Sequence, residues 1–171
     1  MKNKKKMPVA LKIILGVLGA VLLVVIGYIL YLLLSYHRIE DNVELDIYAP
    51  RQETLLSIVD TEKEYTIVTY NIGFGAYTPD FSFFMDGGKY SVAESKESAI
   101  STIQGAADMV KGYEADFIFF QEVDLDATRS YHVNQYDMLA EAFPNYASNY
   151  AINYDSAFLF YPFHEPHGKS K

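Results

Sequence analysis

DFIFFQEVD, residues 116–124, sets four apolar side chains in a row, Phe117, Ile118, Phe119 and Phe120, and then turns polar at Gln121, Glu122 and Asp124. A strand apolar on both faces is one covered on both sides, the pattern of a sheet inside a layered α/β domain. Its carboxyl end lies at the rim of the sheet, where open α/β sheets hold their ligands. Glu122 and Asp124 are therefore candidates for binding chemistry, with plain solvation of a strand end as the alternative.

Working upstream, YTIVTYN at residues 65–71 is rich in β-branched and aromatic residues and predicts a second strand, closed by Asn71, Gly73 and Gly75. Asn71 reads either as a turn former or as an amide that hydrogen-bonds a substrate or a neighbouring carboxylate. Between the two strands, residues 94–111 carry Ala99, Ile100, Ile103, Ala106, Ala107 and Val110 as a stripe at helical spacing, opposite Lys96, Glu97, Gln104 and Asp108. Ser91 or Ser95 can cap the start of this helix, and Gly112 suits the residue past its end. Strand, loop, helix and strand compose a βαβ unit with parallel strands and a right-handed crossover. Parallel strands end on the same edge, so Asn71 and Glu122 are expected to meet at one rim, which favours a functional role for both.

The loop at residues 74–90 combines Pro79, Gly87 and Gly88 with Phe74, Tyr77, Phe81, Phe83, Phe84 and Tyr90. It reads as a lid or binding loop, as a segment packed onto the domain, or as one resting on a membrane surface. Downstream, Arg129 is either a phosphate clamp or the partner of Asp124 or Asp126, a pair being the commoner outcome. His132 is a lone imidazole, for which a surface or packed role is a commoner outcome than catalysis. A short helix is expected at 136–143, stopped by Pro144, with strands at 146–150 and 156–161. Residues 162–171 hold turn residues with no closing element after them, which reads as a domain cut short.

The N-terminal part is of another kind. Residues 13–36 run 24 positions without a charge, which as a helix is about 36 Å, enough to cross a hydrocarbon core of about 30 Å. A cleavable signal would have a shorter apolar region and a small-residue cleavage site, and Leu33-Leu34-Ser35-Tyr36-His37 offers none. Lys2, Lys4, Lys5, Lys6 and Lys12 precede the run and predict a cytoplasmic N-terminus with the remainder outside the cell membrane. The chain thus divides into a basic segment 1–12, a single-pass signal anchor 13–36, an acidic tether 37–64 with a short edge strand at 43–48, and a domain over 65–171. All 22 acidic residues follow the anchor, against 9 of the 14 basic ones, so that part carries a net charge of −13. Such a surface excludes tight nonspecific nucleic-acid binding and suits divalent cations or small phosphorylated substrates brought in by a metal. The absence of cysteine excludes a disulfide framework and a thiolate zinc site.

TYN at residues 69–71 and QEVD at residues 121–124, in this order, in strand context and with a helix between them, resemble the endonuclease/exonuclease/phosphatase superfamily, the deoxyribonuclease-I-like fold. The resemblance covers residues 65–171, and the stretches RSYHVNQYDML and FLFYPFHEPHGKSK are similar to membrane-anchored members in Gram-positive bacteria. It implies the N-terminal half of a four-layer α/β sandwich and a phosphoester hydrolase using Mg²⁺ or Mn²⁺. Glu122 would be the metal ligand, and Asn71 would orient the phosphate and the catalytic carboxylate. Arg129 is a possible phosphate contact that no family motif fixes. The family's later Asp-x-Asn motif and Asp-His pair, which supply the water-activating base and a phosphate-facing histidine, have no counterpart here, and His164 and His167 lie too early for that role. The 171 residues are therefore expected to be inert alone and the parent protein a hydrolase acting on nucleic acid, a sphingomyelin-type lipid or a small phosphate ester. The competing readings are a noncatalytic membrane-anchored binding or scaffold domain and a degenerate remnant of the same fold.

Overall fold

The computed structural model describes residues 7–35, 38–51 and 59–171. The lysines at 2–6, Tyr36, His37 and the middle of the acidic tether, 52–58, on which parts of the readings above fall, lie outside the described residues. The chain forms two compact units, Met1–Tyr36 and His37–Lys171.

The first unit is one helix, α1, Val9–Ser35, apolar all round and with no buried residue. Its 27 residues reach about 40 Å at 1.5 Å per residue, so it is long and apolar enough to span a membrane. It begins before the uncharged run, taking Lys12 into its first turn.

In the second unit, β1 (Ile67–Asn71) and β2 (Phe117–Gln121) pair in parallel, in register from Ile67↔Phe117 to Asn71↔Gln121. The crossover helix α2, Lys96–Lys111, starts where Ser95 accepts a hydrogen bond from the Ser98 amide. A third helix, α3, Gln135–Ala142, is capped by Asn134. Ile72, Ile103, Ala106, Ala107 and Leu139 form the core, with Tyr70 and Phe120 packed against it from the strands. The same two strands turn Ile67, Phe117 and Phe119 the other way, and Phe119 is left 55% exposed. The strand pair is thus covered on one side, against the expectation of two. Aromatic and β-branched residues suit any pleated surface, so an unbroken apolar run does not distinguish a covered face from an open one.

The arrangement is mixed α/β, with two separate two-stranded sheets among the described residues. The second sheet corrects the reading of residues 162–171 as turn residues without a closing strand. There, β3 (Ser156–Leu159) pairs antiparallel with β4 (Gly168–Ser170). Gly168 makes this possible. Its φ of +69° and its contact with Thr128 leave no room for a side chain, and the Lys169 amide donates to Thr128 Oγ1 at 3.0 Å. The strands expected at 43–48 and 146–150 contract to one antiparallel bridge, Tyr48↔Ser148, with backbone hydrogen bonds of 2.8 and 3.0 Å. Asn145, Ser148 and Asn149 disfavour longer pairing. The tether is held again at Arg51, which reaches Asp137 at 3.2 Å and Glu141 at 3.1 Å. Of the three options for the aromatic loop, packing is observed for its first part. Phe74 is fully buried with Ala76, Ala93 and Ala99, flanked by Phe81 and Phe83.

Candidate functional site

The rim where β1 and β2 end is built by the backbone first. The Ile72 amide donates to the Gln121 carbonyl and the Phe74 amide to the Glu122 carbonyl, each at 3.0 Å. Between these bonds Glu122 sits at φ +55°, a left-handed conformation that costs a non-glycine residue about 1 kcal/mol or more. The turn lets the Glu122 carboxylate meet Asn71, whose Nδ2 donates to Oε1 at 3.0 Å. Asn71 Oδ1 in turn accepts from the Gly73 amide at 2.9 Å. The two readings of Asn71 are thus one arrangement, in which the turn bond fixes the amide and the amide holds the carboxylate.

The neighbouring carboxylate has a different fate. Asp124 accepts from Arg129 Nε at 3.1 Å and Nη2 at 2.9 Å, and from Ser130 Oγ at 2.8 Å. Its side chain is 5% exposed against 41% for Glu122. Asp124 is therefore committed to structure, and Glu122 is the carboxylate open to a ligand. Arg129 is placed chiefly as the partner of Asp124, with its guanidinium 4.1 Å over the Phe74 ring. Its Nη1 lies 3.9 Å from Glu122 Oε2, so positive charge does reach the rim.

Three residues near the rim are not singled out as site residues by the sequence, although Tyr77 belongs to the aromatic loop and His167 stands too early in the chain for the family's phosphate-facing histidine. Gln135 is wholly buried. Its Oε1 accepts from the Asp124 amide at 3.1 Å and its Nε2 donates to the Phe74 carbonyl at 2.8 Å, tying both sides of the site together. Nothing in the pattern around Gln135 marks it, because one polar residue opening a helix is ordinary. Tyr77 packs edge-on against Phe74 at 6.1 Å. Burial, then the charges of Asp86 and Glu122, push its hydroxyl pKa up, with Arg129 opposing, so the phenol remains a hydrogen-bond donor. His167 is buried, and its Nδ1 has no partner among the described residues. Burial first and Arg129 second hold its pKa below the usual 6.5, with Asp124 opposing, which keeps the imidazole neutral.

His132 is paired elsewhere. Its Nδ1 lies 2.5 Å from Asp126 Oδ1, and Asp126 is also bonded by Lys169. The Lys169 bond, then that of His132, holds the Asp126 carboxyl below its usual range. His164 Nε2 lies 2.9 Å from the Lys89 carbonyl. A hollow of about 320 Å³ lies between the ends of α2 and α3 at Val110, Ala115, Phe143 and Tyr146, on the edge opposite Glu122.

Among the described residues no three His, Asp, Glu or Cys side chains converge as a metal cage. The donor set at the rim, one accessible carboxylate oriented by an amide, does fit Mg²⁺, which takes one or two carboxylates and completes its octahedron with water and phosphate oxygens. Comparison with protein-family models, with curated proteins and with solved structures returns no match.

Proposed function

We propose that this chain is the membrane-tethered, metal- and phosphate-binding portion of an Mg²⁺- or Mn²⁺-dependent phosphoester hydrolase of the endonuclease/exonuclease/phosphatase kind. Its basic N-terminus would be cytoplasmic and its domain extracytoplasmic. The observation that carries this reading is the 3.0 Å bond between Asn71 and Glu122 at the shared rim, with the Glu122 side chain 41% exposed. Glu122 holds the ion, Asn71 fixes the carboxylate, and Arg129, anchored by Asp124, lends positive charge to a phosphate at the rim. A bound metal supplies Lewis-acid polarisation of a phosphoryl oxygen. The open face carrying Phe117 and Phe119 supports the four-layer sandwich, in which a further layer would cover it. The net charge of −13, from 9 basic and 22 acidic residues after the anchor, favours a small phosphate ester or a lipid headgroup over long nucleic acid.

These 171 residues hold no Asp-x-Asn motif to supply a water-activating base, so alone they bind and do not hydrolyse. The test is thermal unfolding of the chain during Mg²⁺ titration, alongside hydrolysis of bis(4-nitrophenyl) phosphate. Mg²⁺ raises the unfolding temperature of the wild type by mass action and leaves Glu122→Gln unmoved, with no turnover by either. Equal responses of the two proteins to Mg²⁺ sink the metal site. The noncatalytic anchored domain, whose Arg129 serves Asp124 alone, then takes its place. Turnover abolished by Glu122→Gln sinks the claim of inertness.

A further inference from the structure

The aromatic residues of the second unit do not all turn inward. Phe84, in the short 3-10 turn Phe84–Asp86, meets Tyr161 edge-on at 5.7 Å. Tyr161 meets Phe163 at 5.9 Å, and Phe163 meets Phe160 at 5.3 Å. This run of rings ends in solvent, with Phe163 76%, Met85 73% and Tyr161 58% exposed. Two segments far apart in sequence thereby build one apolar knob, the kind of surface that marks an interaction site.

Two further features say what receives it. The first is the tether. Twelve residues separate Ser35, the last of α1, from Tyr48, where the chain is bridged to Ser148. Fully extended they span about 45 Å, so a bilayer holding α1 faces this domain as an intramolecular partner, at high effective concentration. The second is charge. The part of the chain beyond the anchor carries 22 acidic residues against 9 basic ones, which repels anionic headgroups. Beside the knob in sequence stand Asp86, Lys89 and Glu165, not the basic cluster that reads anionic lipid. Phe and Met suit the acyl boundary, and Tyr suits the headgroup level.

We propose that the knob formed by Phe84, Met85, Tyr161 and Phe163 docks the domain onto a zwitterionic or uncharged lipid surface, entering the bilayer interface. This docking is independent of the phosphoester chemistry proposed above and is read without any activity.

The chain contains no tryptophan, so a single introduced indole reports one position. Full-length Phe163→Trp and, as control, full-length Tyr113→Trp are reconstituted in phosphatidylcholine vesicles with and without brominated acyl chains. Tyr113 is exposed and follows α2 at the opposite edge of the β1–β2 pair. Both positions are open to solvent, so neither change disturbs the core. The Phe163→Trp emission is expected to shift to the blue and to be at least halved by brominated chains, as for a ring roughly 5–10 Å into the boundary. The control shows neither effect. A Phe163→Trp signal that is water-like and no more quenched than the control overturns the proposal. So does a blue shift without bromine quenching that fades as protein is diluted in lipid, which assigns the knob to a second copy of the chain.

Discussion

At the scale of single residues, the rim separates two carboxylates by burial and partner. Asp124 is buried and Arg129 half-buried against it, and removing the carboxylate leaves the guanidinium with Glu122, 3.9 Å away, as its remaining counter-charge. Asp124→Asn is accordingly expected to cost about 1–3 kcal/mol, read from urea unfolding of the full chain in detergent. The result matters for Glu122 too, because Arg129 released from Asp124 is free to swing onto it. His167 gives a pH dependence with a definite sign. Its folded pKa lies below the unfolded 6.5, so the unfolded state takes up the proton first on acidification. The stability it contributes is complete above pH 6.5 and is lost as pH falls through the folded pKa. Unfolding temperature is expected to drop between about pH 7.5 and pH 5.5, and the drop shrinks in His167→Asn. A pH response identical in the two proteins assigns the acid sensitivity to other groups.

At the scale of elements, the β3–β4 pair hangs on one glycine. Gly168→Ala combines a left-handed φ with a collision at Thr128, so it is expected to destabilise by at least 1 kcal/mol and to raise hydrogen exchange at β3 and β4. Unchanged exchange at Ser156–Leu159 contradicts that. This element also shows where sequence reading stops. Gly168, Lys169 and Ser170 look like a turn, and their pairing with β3, together with the Thr128 contact, makes them a strand. By contrast, α2 was legible because Ala99, Ile103, Ala106, Ala107 and Val110 repeat at helical spacing, and the same five are buried. The meeting of Asn71 and Glu122 was legible because two strands joined by a helix run parallel and end together. The coverage of β2 was not, since Phe117 and Phe119 carry the same apolar label as Ile118 and Phe120 whichever face is open. Gln135, Glu165 and His167 were invisible for another reason. Gln135 and Glu165 take their roles from partners distant in sequence, and His167 takes its from burial beside Phe83 and Phe84, equally distant. Glu165, for example, accepts from the Ser91 amide at 2.6 Å and takes Ser91 away from capping α2.

At the scale of the whole molecule, α1 is long and apolar enough to span a membrane, and its insertion is open to a direct test. The full chain is expected to stay in the membrane fraction through alkaline carbonate and to leave it in detergent, whereas a chain lacking residues 9–35 is released by carbonate alone. Release of the full chain by carbonate would reduce α1 to a peripheral helix.

The bridge at Tyr48 has a mechanical meaning as well. Between α1 and β1 the chain is clipped to the domain twice, by the two backbone bonds to Ser148 and by the ion pairs of Arg51 with Asp137 and Glu141. A pull along the chain from its N-terminal side would load those clips in turn before tension reached Ile67 and ran along β1 to Asn71. They act as a strain relief, like the knot that keeps a tug on a cable from reaching its contacts. Were α1 held in a bilayer, its movements would be taken up at those clips, and the Asn71–Glu122 bond at the far end of β1 would keep its geometry.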